Sequence, residues 1–346
     1  METISWAFLL EKIILISGVL AVSLLVAMYS TWGERKVAAI IQDRRGPNRA
    51  GFMGLFQPLA DGGKLFFKEE IIPTNSNRFL FILGPSLAMM VACMTSAVIP
   101  WGDTLTINGY SFSLQIADIN IGILYIFGVV SLGVYGIMLG GWASNNKYSL
   151  LASVRAASQI ISYELAMGLS LIALLMMTGT LSIKEIVEQQ RHTYWNVLAQ
   201  PLGFLIFLVC SFAECNRSPF DLPEAESELN GGYHLEYSSM KLGFYLFAEY
   251  INMFISSALM ASLYFGGYAF PYMDKLGLDQ NVITILGTAL FFVKIICFLF
   301  FFMWVRWTIP RFRYDQLMRL GWNIMIPLAL VNMLITGAVI LWQQSH

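Results

Sequence analysis

Apolar residues in this chain are gathered into long runs that contain no Asp, Glu, Lys or Arg. A helix needs about 20 residues to cross the ~30 Å hydrocarbon layer of a membrane. The runs of about that length are Ile13–Gly33, Phe79–Gly102, Ile119–Asn146, Leu165–Ile183, His192–Ala213, Tyr250–Met273 and Leu320–His346, and an eighth, Gln280–Val305, contains only Lys294. Only helices and closed barrels satisfy the backbone in lipid, and these runs lack the alternation of barrel strands. The pattern therefore predicts eight transmembrane helices.

Eight such helices leave room for loops but not for a sizeable separate domain. We expect one all-α, polytopic membrane domain over residues 1–346. The predicted spans cover residues 10–33, 79–101, 119–142, 160–180, 200–213, 243–268, 281–305 and 322–343. The predicted inside loops cover residues 34–78, 143–158, 214–242 and 306–321.

Composition supports a membrane protein. Charged residues make up 12% of the chain and hydrophobic residues 57%, whereas soluble domains carry about 25% charged residues. So little charge could not cover the surface of a soluble globule, which excludes a water-soluble enzyme. The net charge of −1 provides no basic surface for nucleic acid. Membrane lipid is therefore the expected surrounding, and nucleic acid is not an expected partner.

Lysine and arginine are unevenly divided between the two predicted sides of the membrane. The four inside loops hold 16 of the 21 basic residues, whereas the opposite side holds four and Lys294 lies within a span. Short loops rich in Lys and Arg stay on the cytoplasmic side. We therefore expect both termini outside, on the periplasmic side.

Cysteine usage bears on redox chemistry. Cys93, Cys210, Cys215 and Cys297 form no C-x-x-C pair, and the three histidines are scattered along the chain. Iron–sulfur clusters and structural zinc need clustered thiolates. We expect no metal site on this chain, so any electron carrier must belong to a partner.

The first inside loop combines charge with apolar surface. Glu34 stands beside Arg35 and Lys36 at the inner end of the first span, where an acid gains nothing from the membrane surface without a partner. Further on, the segment Leu59–Ile72 mixes apolar and charged residues at helical spacing, which is typical of an amphipathic helix at the membrane interface.

The third inside loop carries six acidic residues against two basic ones, on the side where basic residues dominate. Asp221-Leu-Pro-Glu224 is typical of a helix start, with Asp221 as N-cap and Glu224 completing a capping box. This explains two of the acids at most. Two interpretations remain open: a solvated acidic helix, or clustered carboxylates that raise one another's pKa and exchange protons near neutral pH.

Three charged residues, Glu164, Glu249 and Lys294, fall within or at the edge of spans. A charge at bilayer depth costs at least ~2.5 kcal/mol, so each is a functional candidate. Together with the acidic loop they suggest a proton or cation path. Two function classes fit: a secondary transporter with a charged midplane, and a membrane module that couples a soluble redox partner to ion movement. Most of the unusual charge lies in the inside loops, which favours the second class.

Five segments of the chain are distinctive. They read ERKVAAIIQDRRGPNRAG, FQPLADGGKLFFKEE, SYELAMGLSL, FAECNRSPFDLPEAESELNGGYHLEYSSMKLGFYLFAEYIN and WVRWTIPRFRYDQLMRLGW. In this order they closely resemble the H-type membrane subunit of respiratory complex I, the NADH:quinone oxidoreductase. The resemblance covers nearly the whole chain, and its SPFDLPEAESEL segment is highly specific.

The resemblance implies a multi-pass subunit of a proton-pumping translocase in the bacterial plasma (inner) membrane. Its inside loops, with two peripheral-arm subunits, would enclose a chamber whose substrate is a quinone, either ubiquinone or menaquinone. A peripheral-arm neighbour would hold the terminal iron–sulfur cluster, and small membrane subunits and antiporter-like subunits would be further partners. The alternatives are the related membrane subunit of an energy-converting hydrogenase and a free-standing secondary transporter.

The resemblance also implies roles for individual residues. Those that would line the quinone chamber are Arg35, Asp61, Lys64, Arg217, Phe220 and Arg306. Those that would form an acidic proton path toward the antiporter-like subunits are Glu164, Glu214, Asp221, Glu224, Glu226, Glu228, Glu236 and Glu249, with Glu34 between the two groups. Basic residues would stabilise the negative charge of reduced quinone in a low-dielectric chamber, and carboxylates would respond by shifting protonation.

Overall fold

The computed structural model describes residues 6–107, 110–223, 226–271, 273 and 279–345. The helices are α1 (Trp6–Ile41), α2 (Gln57–Phe67), α3 (Arg78–Thr95), α4 (Gly122–Ala143), α5 (Lys147–Thr178), α6 (Ile183–His192), α7 (Asn196–Ala199), α8 (Pro201–Glu214), α9 (Glu226–Leu229), α10 (Ser239–Tyr264), α11 (Gln280–Thr308), α12 (Tyr314–Arg319) and α13 (Ile326–Ser345). Short 3-10 turns lie at Phe52–Gly54, Ser96–Val98 and Gly232–His234, and a π-helical segment, Leu320–Met325, joins α12 to α13. Two strands, β1 (Thr104–Ile107) and β2 (Tyr110–Ser113), form an antiparallel hairpin.

Seven helical segments are long and apolar enough to cross a membrane. They are Leu9–Ile41, Arg78–Val98, Gly122–Ala143, Lys147–Thr178, Ser239–Tyr264, Gln280–Thr308 and Tyr314–Ser345. They coincide with seven of the eight predicted spans, so the all-α, polytopic class is confirmed. The remaining predicted span coincides with α8, whose 14 residues extend only about 21 Å. An eighth crossing therefore stays a prediction.

The end of the helix bundle that contains Glu34 is called the inner end below, and the end that contains the β-hairpin the outer end. At the inner end two helices run beyond their predicted spans. α1 continues to Ile41, and α5 begins at Lys147, where the Asn146 side chain accepts a hydrogen bond from the Tyr148 N–H at 2.9 Å. Charges were used to place the predicted span limits, but charges mark the membrane surface rather than the end of a helix.

At the outer end the sequence analysis missed both the hairpin and α6. Thr106 N–H donates to Asn281 Oδ1 at 2.9 Å, which ties the hairpin to α11. Arg191 of α6 pairs with Asp103 at 3.3 Å. Strands of four residues are too short to be recognised from periodicity.

α10 lies at the centre of the bundle. In its most apolar part 72% of the residues are buried, against 17% in Leu9–Ile41 and in Tyr314–Ser345. The first and last segments therefore turn most of their surface outward. A polar side chain on α10 instead meets α1, α3, α8 or α11, which makes this helix the natural carrier of a buried site.

Candidate functional site

A cavity of about 430 Å³ lies at the inner end, between α1, α2, α10 and α11. Its wall is formed by Met28, Thr31, Glu34, Arg35, Pro58, Asp61, Gly62, Lys64, Leu65, Leu242, Gly243, Leu246, Phe247, Tyr250, Arg306 and Trp307. Small-molecule sites typically have volumes of about 300–1,000 Å³, with mostly apolar walls and a few converging polar groups. This cavity, called the chamber below, suits an apolar ligand with a polar head.

α2 supplies one wall of the chamber. It covers Gln57–Phe67, close to the segment Leu59–Ile72 for which an amphipathic helix was predicted. Pro58 stands in its first turn, where the fixed φ of proline suits a helix start. Leu65 lines the chamber, whereas Phe67 is 89% exposed. The two apolar surfaces of α2 thus face different surroundings.

Four of the six residues predicted for the quinone chamber lie on its wall. Arg35 pairs with Asp61 at 2.7 Å, Arg306 is in contact with Glu34, and Lys64 stands on α2. Three basic and two acidic side chains give the wall one excess positive charge at neutral pH. The wall is therefore suited to a ligand that acquires negative charge.

Glu34 is only 6% exposed although it stands at the charged end of α1. It accepts a hydrogen bond from the Tyr250 hydroxyl at 2.6 Å, and Nη1 of Arg217 lies 3.6 Å from the same carboxylate oxygen. Its other oxygen faces Arg306. A buried carboxylate is stable only when it is paired and hydrogen-bonded. Here the partners come from α10, α11 and the third inside loop, so Glu34 joins three segments.

Arg217 lies between two buried carboxylates. Its Nη1 is 3.6 Å from Glu34 and its Nη2 is 4.0 Å from Glu249. The guanidinium carbon is 4.1 Å from the centre of the Tyr250 ring, a favourable cation–π distance. Arg217 is 5% exposed, so these interactions are weakly screened. Glu34, Arg217 and Glu249 form a continuous buried set, called the charge series below.

A second cavity, of about 50 Å³, begins at Glu249. Glu214 of α8 and Asn252 of α10 also line this acidic cavity. The Tyr233 hydroxyl donates to Glu249 at 3.0 Å. A water needs roughly 15 Å³ of such space, so the cavity has room for on the order of three waters. Two carboxylates connected by a hydroxyl and by water are suited to proton exchange.

α5 holds the loop that carries Arg217. The Gln159 side-chain amide donates to the Ala213 carbonyl at 2.8 Å and to the Phe220 carbonyl at 2.7 Å, and Gln159 is fully buried. One residue therefore fixes both ends of the segment between α8 and Phe220. Arg217 is thereby set against Tyr250 by backbone contacts as well as by charge.

The remaining predicted path acids have separate partners. Asp221 meets Arg311 at 2.7 Å, Glu228 meets Arg155 at 2.7 Å, Glu236 accepts from the Asn146 amide at 2.7 Å, and Glu164 accepts from the Ser131 hydroxyl. Glu224 lies outside the described residues, as does the side chain of Glu226. The acidic cavity thus brings together Glu214 and Glu249, and the role of the other acids stays a prediction.

Phe220 differs from its expected position. Among the described residues, it is not part of the chamber wall. It is 4% exposed and packs against Tyr163 and Phe312, with ring centroids 5.4 Å and 5.6 Å away. Within this chain it is a core residue that supports the Arg217 loop.

Lys294 was a functional candidate because it lies within a span. Its ammonium donates to the carbonyls of Phe265 and Gly267 at 2.7 Å and of Ala269 at 3.3 Å. These carbonyls follow the last residue of α10, where a positive charge is favourable. The contacts give Lys294 a structural role at the end of α10.

Tyr250 and Tyr233 were missed by the sequence analysis. Both touch carboxylates of the charge series. The analysis weighed only charged groups, and neutral tyrosines at a predicted span read as ordinary aromatic residues. The one available signal was that Tyr250 directly follows Glu249.

The fold and site define a polytopic membrane protein in which an amphiphilic chamber adjoins buried carboxylates. The family model described as NADH dehydrogenase matches residues 13–337. One of two H-type subunits of the NADH-quinone oxidoreductase of Cytophaga hutchinsonii, numbered 1, is 70% identical over 334 residues, 96% of this chain and 98% of the relative. The H-type subunit of the Flavobacterium johnsoniae enzyme is 66% identical, over 97% of this chain and 96% of its own length. That of Thermomicrobium roseum is 48% identical, over 91% of both chains.

The chain therefore belongs to the NADH dehydrogenase family. The family resemblance inferred from the five sequence segments is confirmed.

Proposed function

We propose that this chain is the H-type membrane subunit of a proton-translocating NADH:quinone oxidoreductase. It forms the membrane-side wall of the quinone chamber and carries the first part of the acidic path that couples quinone reduction to proton pumping. The observation that carries this proposal is the charge series. Glu34 lines the chamber, Glu249 lines the acidic cavity, and Arg217 contacts both.

The chamber chemistry is electrostatic. A quinone gains negative charge when it is reduced, and Arg35, Lys64 and Arg306 can stabilise that charge in surroundings of low dielectric constant. New negative charge in the chamber weakens the hold of Glu34 on Arg217. Arg217 can then interact less with Glu249, whose carboxylate takes up a proton in compensation.

This chain supplies binding and electrostatics, and the electrons come from a partner. The terminal iron–sulfur cluster belongs to a peripheral-arm subunit that docks on the charged loops of the inner end. Small membrane subunits and antiporter-like subunits receive the acidic path. Ubiquinone and menaquinone share the quinone ring that the chamber accommodates.

The proposed arrangement is one membrane domain over residues 1–346, with eight crossings and both termini on the periplasmic side of a bacterial plasma membrane. Ion pairs between distant segments support two separate ends. Those at the inner end are Lys241 with Glu70, Arg311 with Asp221 and Arg155 with Glu228, and those at the outer end are Lys184 with Asp118 and Arg191 with Asp103. Between Arg191 and Arg217 the chain changes ends through α7 and α8, although α8 alone is shorter than the hydrocarbon layer.

A cavity-filling substitution tests the chamber. Leu246 lines it from α10, so Leu246→Trp should occupy space that a quinone needs. A photoreactive quinone applied to the intact complex in native membranes should label this chain. In Leu246→Trp the labelling should fall and the KM for quinone should rise.

The matched control is Ile285→Trp on α11, where the side chain is 62% exposed and faces away from the chamber. This control should keep wild-type labelling. A wild-type complex in which the photolabel does not react with this chain would refute the chamber and favour a hydrogenase-type subunit. Equal labelling of Leu246→Trp and wild type would also refute it.

A further inference from the structure

A polar bowl of about 560 Å³ opens at the inner end between the α4–α5 turn and the segment that precedes α3. Its wall includes exposed Thr74 and Asn145, together with Glu236, which accepts a hydrogen bond from Asn146. Ser144 also lines the bowl but is only 3% exposed. The bowl is separate from the chamber, because the two share none of the residues that form their walls.

Buried hydroxyls lead inward from Ser144. The Ser144 hydroxyl donates to the Gly140 carbonyl at 2.7 Å, and the Tyr237 hydroxyl donates to the same carbonyl at 3.2 Å. The Tyr245 hydroxyl donates to the Gly136 carbonyl at 3.0 Å, one turn further along α4. The rings of Tyr237 and Tyr245 meet edge to face, with centroids 5.1 Å apart. Three neutral hydroxyls thus follow one strip of α4.

The packing of α3 and α4 leaves space for this strip. A Cβ at Gly140 would lie 1.9 Å from the Tyr245 hydroxyl oxygen and 3.1 Å from that of Tyr237. A Cβ at Gly84 would lie 2.6 Å from the Tyr245 hydroxyl oxygen. Helix carbonyls do not need these extra donors, and burying a hydroxyl is unfavourable without a compensating bond. Phenylalanine would pack here at lower cost, so the hydroxyls call for a function.

The strip ends at the acidic cavity. Tyr245 lines that cavity together with Tyr233 and Glu249. The rings of Tyr233 and Tyr245 have centroids 5.1 Å apart, and the Tyr233 hydroxyl donates to Glu249. The described residues therefore place hydroxyls at intervals all the way from the solvent-facing bowl to a buried carboxylate.

We propose that Ser144, Tyr237 and Tyr245 form a proton-entry route from the inner aqueous phase to the acidic cavity, separate from the quinone chamber. The route rests on the proposed function, because it supplies the acidic cavity defined there. Each hydroxyl oxygen accepts a proton from the preceding group and releases its own to the next, and the carboxylate of Glu249 takes the last proton. No hydroxyl changes its net charge, and no electron is transferred.

Electrostatics favour this route over one through the chamber. A proton that moved from the chamber to Glu249 would have to pass the guanidinium of Arg217, which repels it in surroundings of low dielectric constant. Burial raises the pKa of Tyr237 to about 12. Tyr237 therefore stays protonated at neutral pH and can both donate and accept.

The test uses the intact complex in native membrane vesicles. Tyr237→Phe and Tyr245→Phe remove one hydroxyl each and keep the ring. We expect each to lower NADH-driven proton translocation and quinone reduction together by about tenfold, the scale of a lost proton-transfer group. The KM for quinone should not change, because the chamber is intact. Tyr264→Phe, a buried tyrosine at the outer end of the same helix, should retain wild-type rates.

Complex content is measured by NADH oxidation with an artificial electron acceptor, so that lost assembly is not mistaken for lost proton transfer. Wild-type rates in both Tyr237→Phe and Tyr245→Phe would overturn the route. Glu249→Gln separates this failure from failure of the proposed function. If Glu249→Gln is impaired while the tyrosine variants are not, the acidic cavity stands and the route falls. If Glu249→Gln has wild-type rates, both fall.

Discussion

Replacement of Arg217 by methionine tests the connection between the chamber and the acidic cavity. The substitution keeps an unbranched side chain of similar reach but removes the charge that faces Glu34 and Glu249. Tyr250 also loses the cation over its ring. Assembly of the chamber wall itself should survive, because Arg217 is not among its residues.

The magnitude follows from the geometry. Two unit charges about 4 Å apart interact by about 4 kcal/mol at an effective dielectric constant of 20. Removing one partner of a buried pair costs about 3–5 kcal/mol, because the other charge is left uncompensated. Glu34 retains Arg306 and Tyr250, so the lower figure of about 3 kcal/mol applies. If this energy is lost from the coupled step, turnover falls about a hundredfold.

The assay is NADH-driven quinone reduction with proton translocation in native membranes, normalised to complex content by NADH oxidation with an artificial acceptor. Arg313→Met is the control, because Arg313 is 72% exposed and pairs with Asp315 at the surface. A surface pair of this kind contributes about 0–1 kcal/mol. Equal activity of the Arg217 and Arg313 variants would refute the role given to the charge series.

Three further substitutions have clear expected outcomes. Tyr250→Phe removes a hydrogen bond to buried Glu34, worth about 1.5–3 kcal/mol for a charged partner, and should lower kcat for quinone reduction about tenfold; an unchanged kcat would contradict this. Lys294→Met removes three carbonyl contacts at the end of α10 and should lower the Tm of the solubilised complex, by about 2 kcal/mol of stability; an unchanged Tm with lost proton translocation would instead indicate a transport role. Glu228→Gln breaks only an exposed pair with Arg155, so the Tm should move by less than the equivalent of about 1 kcal/mol, and a larger shift would contradict the surface assignment.

Much of the fold follows from the charge-free runs of the sequence. Insertion into lipid depends on about 20 consecutive apolar residues, so seven long helices lie where those runs are. The same signal says little about where a helix stops in water. The Asn146 cap begins α5 at Lys147, and neither the cap nor the short hairpin at the outer end affects hydropathy.

The site is harder to predict, because its contacts join segments far apart in the chain. The sequence suggests that Glu34 and Glu249 need partners. It does not indicate that Arg217 would lie between them, since 183 residues separate Glu34 from its partner Arg217. Tyr250 and Tyr233 carry no charge and gave no signal. Phe220 shares a motif with Arg217, yet motif membership does not decide which side chain turns into the core.

Infrared difference spectroscopy of the intact complex tests the central claim most directly, namely that quinone reduction in the chamber changes protonation in the acidic cavity. The spectrum recorded when NADH reduces bound quinone should contain a protonated-carboxyl band that disappears in Glu249→Gln. In Arg217→Met, quinone should still be reduced slowly but without that band. A band unchanged in both variants would contradict the coupling of the two cavities through the charge series.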